Sequence, residues 1–96
     1  MTAPAAAEAA LRGRVAVLVS RATDGEVTEE ELLRAGASLT ALGVTSLALL
    51  RLIDAVEEEF GIVLDLDGPF RFLDDLDSLV GHLAELGVAA EGGKDV

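Results

Sequence analysis

Ninety-six residues make one small domain with a modest core and little room for a deep substrate cleft. Eighteen Asp and Glu against seven Lys and Arg give a formal net charge of −11. That balance excludes nucleic acid and anionic membrane surfaces as partners and favours a protein with a basic patch, while the absence of cysteine excludes disulfides and thiolate metal sites.

The amino end, MTAPAAAEAALRGR, lacks the charged start and apolar stretch of a signal peptide. No run approaches the roughly 20 apolar residues that cross a bilayer, so a cytoplasmic protein is expected; a monomer is expected as well. The first helix is predicted from Pro4 or Ala5 to about Arg21. Ala7, Leu11, Val15, Leu18 and Ala22 share one face, with Val19 at its edge and Arg14, Ser20 and Arg21 opposite. Thr23-Asp24-Gly25 reads as a stop and turn.

A long connection follows, from residue 23 to residue 44. Within it Thr28-Glu29-Glu30-Glu31 is a capping box that predicts a short helix through Leu32, Leu33 and Arg34, ended by Gly36. Leu39 and Leu42 are spaced as anchors that pin the connection to the core. The clearest helix runs from Ser46 to Phe60, with Leu49, Leu52, Ile53, Val56 and Phe60 as its apolar stripe. Leu47, Arg51, Asp54 and Glu58 fall on the opposite face, and Gly61 is placed to close the helix as a left-handed cap.

Ile62-Val63-Leu64 reads as an extended linker, and Asp67-Gly68-Pro69 as a turn before a short helix over Phe70 to Leu73. The last helix starts after Asp74, Asp75 or Asp77, buries Leu76, Leu79, Val80, Leu83 and Leu86, and stops at Gly87. Three main helices and one short one make an all-α bundle, with a core over about residues 5–88 and a flexible tail over about 89–96.

Ser46 is the residue on which function turns. A serine just ahead of an apolar-periodic stretch is most often an N-cap. No histidine lies near it to act as a base, so unaided nucleophilic catalysis is not expected. A helix start does favour an anion, so a phosphate ester on Ser46 would sit in a favourable field. The other chemical signals are weaker. Asp65-Leu66-Asp67-Gly68 opens like a calcium loop, but Leu76 stands where the bidentate Glu is needed. Glu57, Glu58 and Glu59 show no sign of the shared burial that an acid–base pair requires. His82 has no second ligand in view, so neither a metal nor a catalytic residue is expected.

The run Ser38-Leu39-Thr40-Ala41-Leu42-Gly43-Val44-Thr45-Ser46-Leu47, followed by Leu50, Leu52 and Glu57-Glu58-Glu59-Phe60-Gly61, resembles the acyl and peptidyl carrier proteins. Their mark is a Leu-Gly-x-Asp-Ser-Leu run opening a helix that ends in an acidic pair and Phe. The later FRFLDDLDSLVGHL resembles their last segment, and the likeness covers roughly residues 8 to 88.

The resemblance implies a 4'-phosphopantetheine arm attached to Ser46 by a phosphopantetheinyl transferase, on a chain that is not itself an enzyme. The arm would hold acyl or aminoacyl thioesters for a loading enzyme and a downstream synthase or transferase. It further implies that the helix opening at Ser46 is the recognition helix, with Leu47, Arg51, Asp54 and Glu58 as a docking face. The chain departs from the pattern at Thr45, where the family usually has the Asp thought to help the transferase. Arg51 stands where fatty-acid carriers tend to be acidic, which argues against a housekeeping fatty-acid role and favours a polyketide or nonribosomal peptide type of pathway; a free-standing carrier is expected. The competing expectation is an unmodified carrier-shaped module that docks a basic protein through the same helix.

Overall fold

The computed structural model describes residues 3–34, 38–64 and 71–88, with the side chains of the first helix described from Ala9 onward. Five expectations lie outside the described residues: the facing of Ala7, the stop at Gly36, the turn and calcium-like segment over 65–69, the role of Phe70, and the tail from 89. The described residues form four α-helices: α1 (Ala3–Ala22), α2 (Glu29–Arg34), α3 (Ser46–Phe60) and α4 (Leu76–Glu85). A single 3-10 turn, Arg71–Leu73, precedes α4. The all-α bundle expected from the sequence is the fold observed.

Local chemistry sets the helix ends. Thr28 and Glu31 form the reciprocal capping box: the Thr28 N–H donates to Glu31 Oε1 at 2.9 Å, and the Glu31 N–H donates to Thr28 Oγ1 at 3.1 Å. Asp75, among the three aspartates on offer, caps α4 by accepting from the Ser78 N–H at 2.7 Å. Gly61 closes α3 at φ 66, a left-handed conformation that a side chain resists, and its N–H donates to the Glu57 carbonyl.

Packing centres on α1, which lies against α2, α3 and α4. Val15 and Val19 of α1, Leu52, Val56 and Phe60 of α3, and Leu79 and Leu83 of α4 are fully buried in one cluster. Each such side chain stabilises the fold by about 1.5–3 kcal/mol relative to exposure.

Three facings differ from the sequence reading, the smallest at Leu86, expected to be buried but half-buried at the C-cap of α4. Val19 is central to the core, not at its edge. The buried stripe of α3 is Ala48, Leu52, Val56 and Phe60, at regular four-residue spacing, while Leu49 and Ile53 are half-buried on its flank.

The long connection is ordered where it is described. Leu39 is buried as an anchor, and its N–H donates to the Asp74 carbonyl at 2.8 Å, tying the segment before α3 to the entrance of α4. Leu42 is half-buried beside it. Residues 62–64 lie in no helix, with Ile62 and Leu64 buried, Val63 exposed, and the Leu64 N–H held by Glu57 Oε2 at 2.8 Å. Phe72 stacks on His82 with ring centroids 4.2 Å apart, which fixes the 3-10 turn to α4 and gives His82 a structural role.

Candidate functional site

The chain reaches α3 through a tight turn. The Gly43 N–H donates to the Thr40 carbonyl at 3.0 Å and the Val44 N–H to the Leu39 carbonyl at 3.0 Å. Gly43 sits at φ 106, where an L side chain is strained. Val44 is buried and anchors the turn, so the next residue arrives at a fixed place and angle.

That next residue is Thr45, and it is the N-cap. Its extended backbone (φ −82, ψ 170) and its Oγ1, which accepts from the Ala48 N–H at 3.1 Å, make the capping interaction. Its carbonyl accepts the first intrahelical bond, from the Leu49 N–H at 2.9 Å. The capping role expected of Ser46 therefore belongs to Thr45. Ser46 is the first helical residue, exposed, with its hydroxyl in no hydrogen bond among the described residues.

Two of the four N–H groups that a helix start leaves open are those of Ser46 and Leu47, and neither donates to a partner among the described residues. The segment from Ser38 to Thr45 carries no carboxylate. A phosphate ester on Ser46 thus meets open donors and the positive end of the dipole, with no acid in the segment that leads up to it. The exposed hydroxyl fits the arm that the sequence resemblance implies.

The other described serines fit less well. Ser38 Oγ accepts from the Ala41 N–H, and Ser20 lies in the last turns of α1. Ser78 follows Asp74, Asp75 and Asp77, so an anion there would face a run of carboxylates.

The exposed face of α3 continues from Ser46. Leu47, Arg51, Asp54 and Glu58 are all exposed, with Leu47 at 59%. The sequence reading left Leu50 out of this face, yet it is 62% exposed. Its i+3 spacing from Leu47 was the available signal. Arg51 Nη1 lies 3.4 Å from Asp24 Oδ2 in the turn after α1, a pairing across 27 residues that no local pattern announces. Asp24, Gly43, Thr45, Leu47, Ala48 and Arg51 line a shallow open depression of about 250 Å3 beside the start of α3.

Among the described residues no group of His, Asp and Glu could hold a metal ion, and no helix is long and apolar enough to cross a membrane. No curated protein and no solved structure matches the chain. The phosphopantetheine attachment site family does match, over residues 14–83, a span that begins inside α1, takes in Ser46 and ends in α4. Since that span is most of the chain, the protein belongs to the phosphopantetheine attachment family of acyl and peptidyl carriers: not an enzyme, but a domain of the kind that bears a covalent 4'-phosphopantetheine on a serine.

Proposed function

We propose that Ser46 is the attachment serine of a free-standing carrier that serves a polyketide or nonribosomal peptide type of pathway. The observation that supports it most directly is the division of labour at the start of α3. Thr45 caps the helix, and Ser46 is left exposed with its hydroxyl uncommitted inside the family-matched span.

In the loading step Ser46 Oγ attacks the pantetheine-bearing phosphorus of coenzyme A. The bond between the two phosphates breaks, adenosine 3',5'-bisphosphate leaves, and the hydroxyl proton passes to a base on the transferase. The chain's own contribution is positional: a fixed turn, an exposed hydroxyl, and open N–H groups for the phosphodiester. The attached arm supplies the thiol that holds acyl or aminoacyl cargo.

Leu47, Arg51, Asp54 and Glu58, with Leu50 added, form the surface through which the transferase and the loading enzyme dock. Exposed leucines beside the attachment point are the kind of apolar contact an interface core uses. Arg51 adds a cation to an otherwise acidic face, which supports a specialised pathway over housekeeping fatty-acid synthesis.

The test is loading with coenzyme A and a broad-specificity phosphopantetheinyl transferase, followed by intact-mass measurement and peptide mapping. The expected result is the mass of one phosphopantetheinyl group gained on the peptide holding Ser46, with Ser46→Ala unchanged. A wild type that stays unmodified with several transferases would instead support a carrier-shaped module that docks a basic partner without an arm.

A further inference from the structure

The turn that delivers Ser46 is tied down by a residue that follows α3 in the chain. Leu39 has both of its backbone groups committed. Its N–H donates to the Asp74 carbonyl at 2.8 Å, and its carbonyl accepts from the Leu42 N–H at 3.1 Å and the Val44 N–H at 3.0 Å. Val44 is buried and leads directly into the Thr45 cap. Leu39 is 1% exposed, so an N–H deprived of the Asp74 carbonyl has no water to turn to.

Asp74 is fixed on both sides. Its N–H donates to the Arg71 carbonyl at 3.0 Å, across the 3-10 turn. The next residue, Asp75, caps α4 from an extended backbone (φ −149, ψ 169). One of its carboxylate oxygens accepts from the Ser78 N–H at 2.7 Å, and its carbonyl accepts from the Leu79 N–H at 3.1 Å. The carbonyl offered to Leu39 belongs to the peptide that joins Asp74 to Asp75, so its direction is set by where α4 starts. A cap at Asp74 or Asp77 would start the helix elsewhere and turn that peptide plane. Hydrogen bonds thus run in series from the cap of α4, through Leu39, to the cap of α3.

We propose that Asp75 is a positioning residue for the loading of Ser46: its cap on α4 aims the Asp74 carbonyl that holds Leu39, and with it the turn that places the serine. The proposal rests on Ser46 as the attachment site, and Asp75 acts on that serine only through this series of bonds. Attack of Oγ on phosphorus needs a placed hydroxyl, and a misplacement of about 1 Å costs on the order of a hundredfold in rate. A shift of about a quarter of that distance is worth roughly threefold. The docking face of α3 is untouched by the change, so the effect belongs in kcat and not in KM.

Steady-state loading with coenzyme A and a broad-specificity phosphopantetheinyl transferase tests this, beside amide exchange of the 15N-labelled protein. Loading of the wild type is mapped to Ser46 first. Asp75→Ala is expected to lower kcat by roughly threefold or more with KM unchanged, and to speed exchange at Leu39 and Val44 through local opening. Asp75→Asn removes the charge but keeps a cap of equal quality, so it should restore both readouts. Thr28→Ala removes the cap of α2, a comparable loss outside this series of bonds, and should load like the wild type. Should Asp75→Ala lose its helical spectrum, Asp75→Gly leaves a better cap than alanine and is expected to show smaller changes in the same directions. A folded Asp75 variant with faster exchange at Leu39 that loads at the wild-type kcat overturns the positioning role and leaves the attachment site standing. Unchanged exchange at Leu39 and Val44 overturns it too. So does an equal fall in kcat for Thr28→Ala, which traces the effect to lost stability, or a fall that Asp75→Asn shares, which traces it to charge. A wild type that cannot be loaded at Ser46 removes the attachment reading, and this proposal fails with it.

Discussion

A threonine hydroxyl holds the N-cap bond as a carboxylate would, but without a charge, and at Thr45 that difference falls one residue from Ser46, the proposed attachment serine. Its Oγ1 accepts from the Ala48 N–H, so the departure from the family's usual Asp preserves the cap while removing an anion. Thr45→Ala is expected to cost about 1 kcal/mol through the lost cap. Thr45→Asp keeps the cap and adds a negative charge at the positive end of α3, worth about 0.3–1 kcal/mol in the unmodified protein. In the loaded protein the phosphodiester and the new carboxylate share that helix end, so the gain should shrink. Loading should nevertheless speed up, because the variant restores the acid the family offers its transferase. Melts of both variants before and after loading, with loading rates, check this. A larger gain in the loaded form would show that the phosphate lies away from the helix start.

Along α3, burial separates residues of one chemistry into two roles. Leu52 and Val56 are fully buried, whereas Leu47 and Leu50 face solvent. Leu52→Ala is expected to cost about 2–5 kcal/mol, a large share of the 5–15 kcal/mol that holds such a domain together. Leu47→Ala and Leu50→Ala should each shift stability by less than about 0.5 kcal/mol, yet slow loading by the cognate enzyme. Thermal melts and loading rates on the same variants separate the roles; normal loading by both surface variants would place docking elsewhere, with the 3-10 turn Arg71–Leu73 next in line.

The bounds of α3 were legible in the sequence because Gly61 and the apolar period mark them locally. Its facing was read slightly off, since Ala48 is too small to stand out as core while Leu49 is large and only half-buried. Asp74, Asp75 and Asp77 each offered a plausible start for α4, and only the bond from the Ser78 N–H singles out Asp75. Ser46 was legible as the residue to propose for attachment, but not as free of the cap, because adjacent Thr and Ser are equivalent caps on composition alone. The Arg51–Asp24 pair depends on how α1 meets α3, which no local pattern encodes.

At the scale of the whole molecule, salt acts on two electrostatic effects in opposite directions. A net charge of −11 on 96 residues repels itself in the compact state, and screening relieves that repulsion. Arg12–Asp77 ties α1 to α4, Arg14–Glu59 ties α1 to α3, and Arg51–Asp24 ties α3 to the turn after α1. These pairs oppose the repulsion, but each is solvent-accessible, and such pairs are worth about 0–1 kcal/mol apiece. Arg14 also lies over the Phe60 ring, 5.6 Å from its centroid, a contact that salt weakens less than a bare surface pair. Repulsion should therefore dominate, so raising ionic strength from ~0.01 to ~0.15 M, which shortens the screening length from about 30 to 8 Å, is expected to raise the melting temperature. Docking responds the other way, because attraction between this acidic surface and a basic enzyme surface is screened by the same ions. Loading at limiting carrier concentration should slow over that salt range, chiefly through association. Melting curves and loading rates in matched buffers measure both signs. A melting temperature that falls with salt would mean that the three ion pairs outweigh the self-repulsion, and a loading rate indifferent to salt would leave Leu47 and Leu50 to guide docking without the charges of α3.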